Sequence, residues 1–144
     1  MVTAVGILVL VLGLIAWLGQ TLAFVLPSIA VRLGVLEPEH EVDPALYLME
    51  ARVEALVDIL LTWTLPAAAL LMIFDHPLWP YLGIFGGGIF LYFSGLIILS
   101  RVLFKRAGRR IGSPASERAA YLFGSLWTLA ALAMIGLAAI HLSG

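Results

Sequence analysis

The stretch richest in reactive groups is Glu50-Ala-Arg52-Val-Glu54-Ala-Leu-Val-Asp58. Glu50, Glu54 and Asp58 are spaced i, i+4, i+8, so on a helix they form one stripe, with Arg52 pointing roughly the other way. Such a stripe can hold a cation, pass a proton, or pair with a base on another helix. Arg101, preceded by Ser100, closes a later apolar run and is the candidate counter-ion. Gln20 and Ser100 are candidate hydrogen-bonding members of the same cluster. Two uses compete: a structural salt-bridge cluster that fixes helix register, and a pocket for a cation, a proton or a polar headgroup.

The elements that must carry these groups are set by composition. Of 144 residues, 62% are hydrophobic and 12% charged, with a mean hydropathy of +1.09. Soluble domains run at about 45–50% apolar and about 25% charged, so lipid is the expected solvent for the outer face. A hydrocarbon core about 30 Å thick needs roughly 20 apolar residues per helix. The apolar runs predict spans at 2–26, 44–74, 79–104 and 117–142, an all-α polytopic membrane protein built as a four-transmembrane-helix bundle. Nothing between the spans is long enough for a soluble domain, so residues 1–144 read as a single membrane domain. The first run has neither a basic start nor an A-x-A site and reads as a retained helix.

Asp43-Pro44 and Ser113-Pro114 supply cap-then-proline starts for the second and fourth spans. Counting back from Phe74 places Glu54 and Asp58 at or inside the edge of the hydrocarbon, where an ionised carboxylate costs several kcal/mol unless paired, hydrated or protonated. The stripe should therefore face the bundle interior, a wet cavity or a partner.

Arg101, Lys105, Arg106, Arg109, Arg110 and Arg118 surround the third link, and Arg32 and Arg52 flank the first. The turn at 75–80 and both termini carry none. The positive-inside bias makes the basic side cytoplasmic, so both termini are expected on the non-cytoplasmic side, in a bacterial inner (plasma) membrane. Trp79 and Tyr81 are expected in the opposite aromatic belt.

Close helix packing should use small residues. Gly83, Gly87, Gly88 and Gly95 are the candidates on the third span, facing Gly124, Ser125, Ala131 and Ala138 of the fourth. A run at 86–88 also offers a ligand close access to backbone. Pro66 should kink the second span, with Thr62 and Thr64 satisfying freed groups.

The remaining signals exclude more than they suggest. No cysteine is present, which removes thiolate chemistry and Cys-ligated metals. A net charge of −1 gives no reason to expect nucleic acid. A haem held by His76 and His141 is disfavoured, since one sits in a turn and the other beside the C-terminus. The acidic run 37–43 reads as a solvated connector. The basic run 105–110 sets topology, with anionic headgroups as a further use.

The layout resembles the MAPEG superfamily of four-helix glutathione-dependent and eicosanoid membrane enzymes. The resemblance is carried by chain length, an acidic first link, Arg52 and Glu54 opening the second span, and Ser100-Arg101 closing the third. That family usually shows Arg, Asn and Glu in this order, and this chain contains no Asn. The resemblance implies a cytoplasmic-side thiol-cofactor or lipid site lined by Glu50, Arg52, Glu54 and Arg101. Against it stand two other readings. One is a non-catalytic subunit that self-associates or joins a larger membrane complex, surrounded by membrane lipids. The other is a small proton or cation transporter or channel using Glu54 and Asp58. The short links and the small-residue faces favour the subunit.

Overall fold

The computed structural model of the chain describes residues 2–144, which are overwhelmingly helical and hold no strand. Helix α1 is Val2–Val25, followed by the short α2, Pro27–Arg32. A 3-10 turn at Glu39–Glu41 leads into α3, Pro44–Ile73. Helix α4 is Trp79–Arg106 and α5 is Pro114–Ser143. Helices α1, α3, α4 and α5 are each long and apolar enough to cross a membrane. Their outer faces expose Leu8, Leu60, Leu129 and Ile140, a surface suited to hydrocarbon. These are the features of a small multi-pass membrane protein.

Local sequence explains the helix ends. Asp43 caps α3 by accepting from the Ala45 N–H at 2.9 Å, with Pro44 in the first turn. Ser113 does the same for α5 through the Ser116 N–H at 3.2 Å. Asp75, with φ 52°, supplies the left-handed residue that stops α3.

The four long helices place all eight Lys and Arg toward one end. At the other end, the start of α1, the turn after α3 and the end of α5 come together. Gly6 packs on Met72 and Ile73, and the Trp79 ring lies 5.1 Å from that of His141. That contact corrects one expectation. Trp79 turns inward, 3% exposed, while Tyr81 faces out at 62%. Two residues apart on a helix, the side chains cannot share a face.

Small residues set the closest helix approaches. A Cβ on Gly86 would lie 2.8 Å from the Leu65 backbone nitrogen, and one on Gly13 2.8 Å from the Pro66 ring. Gly87 takes Ile135 against it and Gly83 takes Met134, closing α4 onto α5. Gly88 and Gly95 differ: a Cβ on either meets nothing within 4 Å. Phe90, Phe93, Trp127, Leu65 and Met134 fill the core between these contacts.

Helix α3 is interrupted at Thr62–Trp63, three residues before Pro66. Four successive carbonyls ahead of the break receive side-chain donors. Thr62 Oγ1 donates to Asp58 O (2.7 Å), Trp17 Nε1 to Ile59 O (3.1 Å), Trp63 Nε1 to Leu60 O (2.9 Å) and Thr64 Oγ1 to Leu61 O (2.7 Å). A backbone group left open in hydrocarbon costs several kcal/mol, so a break at this depth requires such partners. Besides the two threonines, the donors are tryptophans, one of them from α1.

Candidate functional site

The first turns of α3 are not regular. Residues Met49–Glu54 form a wider π turn, a feature that concentrates at functional sites. It carries both Glu50 and Glu54. Glu50 pairs with Arg101 of α4 through both carboxylate oxygens; the second contact, from Nη2 to Oε2, is 3.2 Å. The guanidinium and the carboxylate are largely removed from solvent, with side-chain exposures of 9% and 15%. A two-pronged pair of this kind fixes the register of α3 against α4.

Glu54 has no such partner. It is 9% exposed, and its Oε1 accepts no hydrogen bond from the protein. Arg101 Nε is a buried donor equally without an acceptor among the described residues. Asp58, one turn deeper, is also buried and forms no ion pair among the described residues. Arg52 is exposed and reaches back to the Phe24 carbonyl at 3.4 Å, away from the acids.

Glu50, Glu54 and Arg101 line one cavity of about 380 Å³ between α1, α3, α4 and α5. Its walls are Ile15, Ala16, Ala23, Ile97, Phe123 and Trp127, with Gln20 and Ser116 as further polar members. Ser100 is not part of the wall; its hydroxyl donates to the Ile97 carbonyl of its own helix. The origin of the space is visible in α1 and α5. They are tied where Trp127 Nε1 donates to Leu12 O at 2.9 Å, and the cavity occupies only the stretch from there toward the basic end.

Residues 33–36 form the roof at the basic end, turned by Gly34 at φ 71°. The acidic connector that follows does not simply float in solvent. Val42 bridges antiparallel to Ile111, Asp43 N–H donates to Arg110 O at 2.8 Å, and Arg109 reaches the Asp43 carboxylate at 3.0 Å. Arg110 also donates to the His40 carbonyl at 2.6 Å. The Ala45 amide, and after it the Arg109 guanidinium, hold the Asp43 carboxyl below the ordinary carboxylate range. The two links are thus latched to each other.

Within the third link's flank, Lys105 binds Glu117 at 2.6 and 2.9 Å, and Tyr121 donates to the same carboxylate at 3.2 Å. The histidines lie apart from the cavity. His76 Nδ1 accepts from the Leu78 N–H at 3.3 Å in the opposite turn, and the His141 ring packs at a tilt against Trp79.

Sequence reasoning placed the acids on one stripe and chose Arg101 among the bases, but missed Trp127, Phe123 and the roof. The available signal for the roof was Gly34 after a helix-ending basic residue. No sequence signal marks the pairing of Trp127 with Leu12. No protein-family model matches the chain, and neither does any curated protein or solved structure.

Proposed function

We propose that this protein is a non-catalytic membrane subunit that holds a small amphiphile in the cavity between α1, α3, α4 and α5. The basic end lies in the cytoplasm, both termini lie outside it, and the membrane is an inner (plasma) membrane. The orientation rests on the positive-inside bias, because every Lys and Arg gathers at one end. One observation carries the binding reading: Glu54 and Arg101, each with one buried atom left without a hydrogen-bond partner among the described residues, line a cavity whose walls are otherwise mostly apolar. Apolar walls with a few convergent polar groups are the usual form of a small-molecule site, and about 380 Å³ suffices for a polar head and the first carbons of a tail. Ile15 and Leu33, both well exposed, border the cavity on the lipid-facing side and give a tail a way out.

The test is purification from native membranes with mass spectrometry of what stays bound. A single-chain amphiphile retained by the wild type and lost on filling the cavity with Ala120→Trp supports the reading. Equal lipid content in both proteins overturns it.

The open faces of Gly88 and Gly95 favour association with another membrane subunit, since a neighbouring helix can approach α4 closely there. Cross-linking through cysteines introduced at Tyr92 and Leu99, which flank these glycines and point outward, tests this. Tyr92 and Leu99 cross-links that form in native membranes and vanish in Gly88→Leu support association.

A further inference from the structure

The amphiphile reading leaves the chemistry of the head open, and the unpaired atoms narrow it. In the cavity wall Glu50 and Arg101 neutralise each other, so Glu54 is the charge left over. Among the described residues, no other Lys, Arg or His lines the space. Asp58, one turn deeper, is buried and does not line the space. An anionic head, such as a carboxylate or phosphate, would meet the Glu54 carboxyl and a guanidinium already engaged by Glu50. A cationic head would meet an unpaired carboxylate, with the Trp127 and Phe123 rings available to a positive charge. Arg101 Nε is a donor without an acceptor and carries almost no exposed surface, so a hydroxyl beside the ammonium reaches it when the guanidinium turns toward the space, whereas a bare ammonium has no acceptor to offer.

We propose that the cavity selects a single-chain amphiphile headed by a protonated primary amine with an adjacent hydroxyl: a long-chain amino alcohol. Glu54 is the counter-ion, and Arg101 Nε donates to the hydroxyl oxygen. Ile15, Ala16, Ile97 and Phe123 take the first carbons of the chain. This rests on the amphiphile reading above and adds the identity of the head.

The experiment measures binding of four probes of equal chain length to the full chain in maltoside detergent. They are 1-amino-2-dodecanol, dodecylamine, dodecanol and dodecanoate. Calorimetry reads the affinities, with the heat of partition into empty micelles subtracted. The expected order is amino alcohol, amine, alcohol, acid, with the amine about tenfold tighter than the alcohol, the ratio a charge-assisted contact supplies. Glu54→Gln keeps the shape and removes the charge. It should bring the amine to within about twofold of the alcohol while alcohol binding stays as in the wild type.

Equal affinity for amine and alcohol in the wild type overturns the cationic head and leaves the amphiphile reading standing. An amine preference that survives Glu54→Gln overturns the role of Glu54. Saturable binding of none of the four overturns both, and leaves the cavity to ordered water. The wild-type comparison needs no variant, so a Glu54→Gln chain that fails to fold does not remove the test.

Discussion

The two halves of the bundle solve the same problem differently. Toward the termini, helices approach until glycines touch their neighbours directly: Gly86 on the Leu65 backbone, Gly13 on the Pro66 ring, Gly83 on the Met134 side chain. Toward the basic end the helices stand apart, and a Glu50–Arg101 pair, a tryptophan tie and a latched pair of links hold them around a cavity. Lipid provides no hydrophobic drive between helices, so each half must supply its own cohesion, by contact in one and by polar bonds in the other. Close contact leaves no room for a ligand. Polar bonds leave room, at the cost of desolvated charge.

The largest effect should come from breaking the polar half. Arg101→Gln leaves the Glu50 carboxylate buried without its base, a loss of about 3–5 kcal/mol for pairs of this kind. Unfolding in mixed micelles should show a much lower midpoint. The double variant Glu50→Gln with Arg101→Gln should recover most of the loss, because no lone charge remains. An equally unstable double variant would mean that the pair itself holds the half together.

Next comes the contact half. Gly86→Val drives a side chain into the Thr64–Leu65 backbone, which cannot move aside as a flexible side chain would. Overpacking of this kind costs about 1–3 kcal/mol. Gly88→Ala, one turn-face away with nothing within 4 Å, should change the midpoint by no more than about 0.5 kcal/mol. A comparable loss in both would show that packing on the outer face of α4 matters as much as packing inside.

These two regions also differ in how readable they were. The four spans, the Asp43 and Ser113 caps and the gathering of bases follow from local composition and short-range rules, so sequence sufficed. The stripe of acids was readable because helical periodicity needs no tertiary information. Gly83 and Gly87 could not be told from Gly88 and Gly95 in advance, because all four are equally small and only the partner helix's rotation separates them. The π turn at Met49–Glu54 and the inward Trp79 depend on that same packing. The latch was missed for another reason. It joins residues 42–43 to 109–111, and a single bridge between two short links leaves no periodic signature.

The boundary between the halves is the tie from Trp127 to the Leu12 carbonyl. Trp127→Phe keeps an aromatic ring against Phe93 and Phe123 and removes only the donor. Leu12 O also lies within a helix, so no carbonyl is orphaned. Side-chain bonds between membrane helices average about 0.6 kcal/mol, and the stability loss should be of that order. The more informative readout is the cavity. If the tie marks the end of the cavity opposite its roof, the variant should admit longer or bulkier amphiphiles than the wild type. An unchanged length preference would place the limit elsewhere.

The smallest stability effect belongs to the latch, and its sign with pH is fixed. Asp43 has a folded-state pKa below its ordinary value of about 3.9, because the Ala45 amide and then Arg109 favour the charged form. The stability it contributes is therefore complete above that ordinary value and is lost as pH falls through the lower folded value. Two substitutions separate the causes. Asp43→Asn keeps an acceptor for the Ala45 N–H and loses the charge facing Arg109, whereas Asp43→Ala loses both. Hydrogen exchange of the Asp43 amide, which donates to Arg110 O, reads latch opening directly. At neutral pH, protection should fall from wild type to Asp43→Asn to Asp43→Ala. Once the pH falls below that lowered folded-state value, wild type and Asp43→Asn should converge, since both then carry a neutral group. High salt at neutral pH should narrow the same gap, because Arg109 is largely exposed and its attraction is screened. If the gap persists in acid, Asp43 holds the links by shape and not by charge.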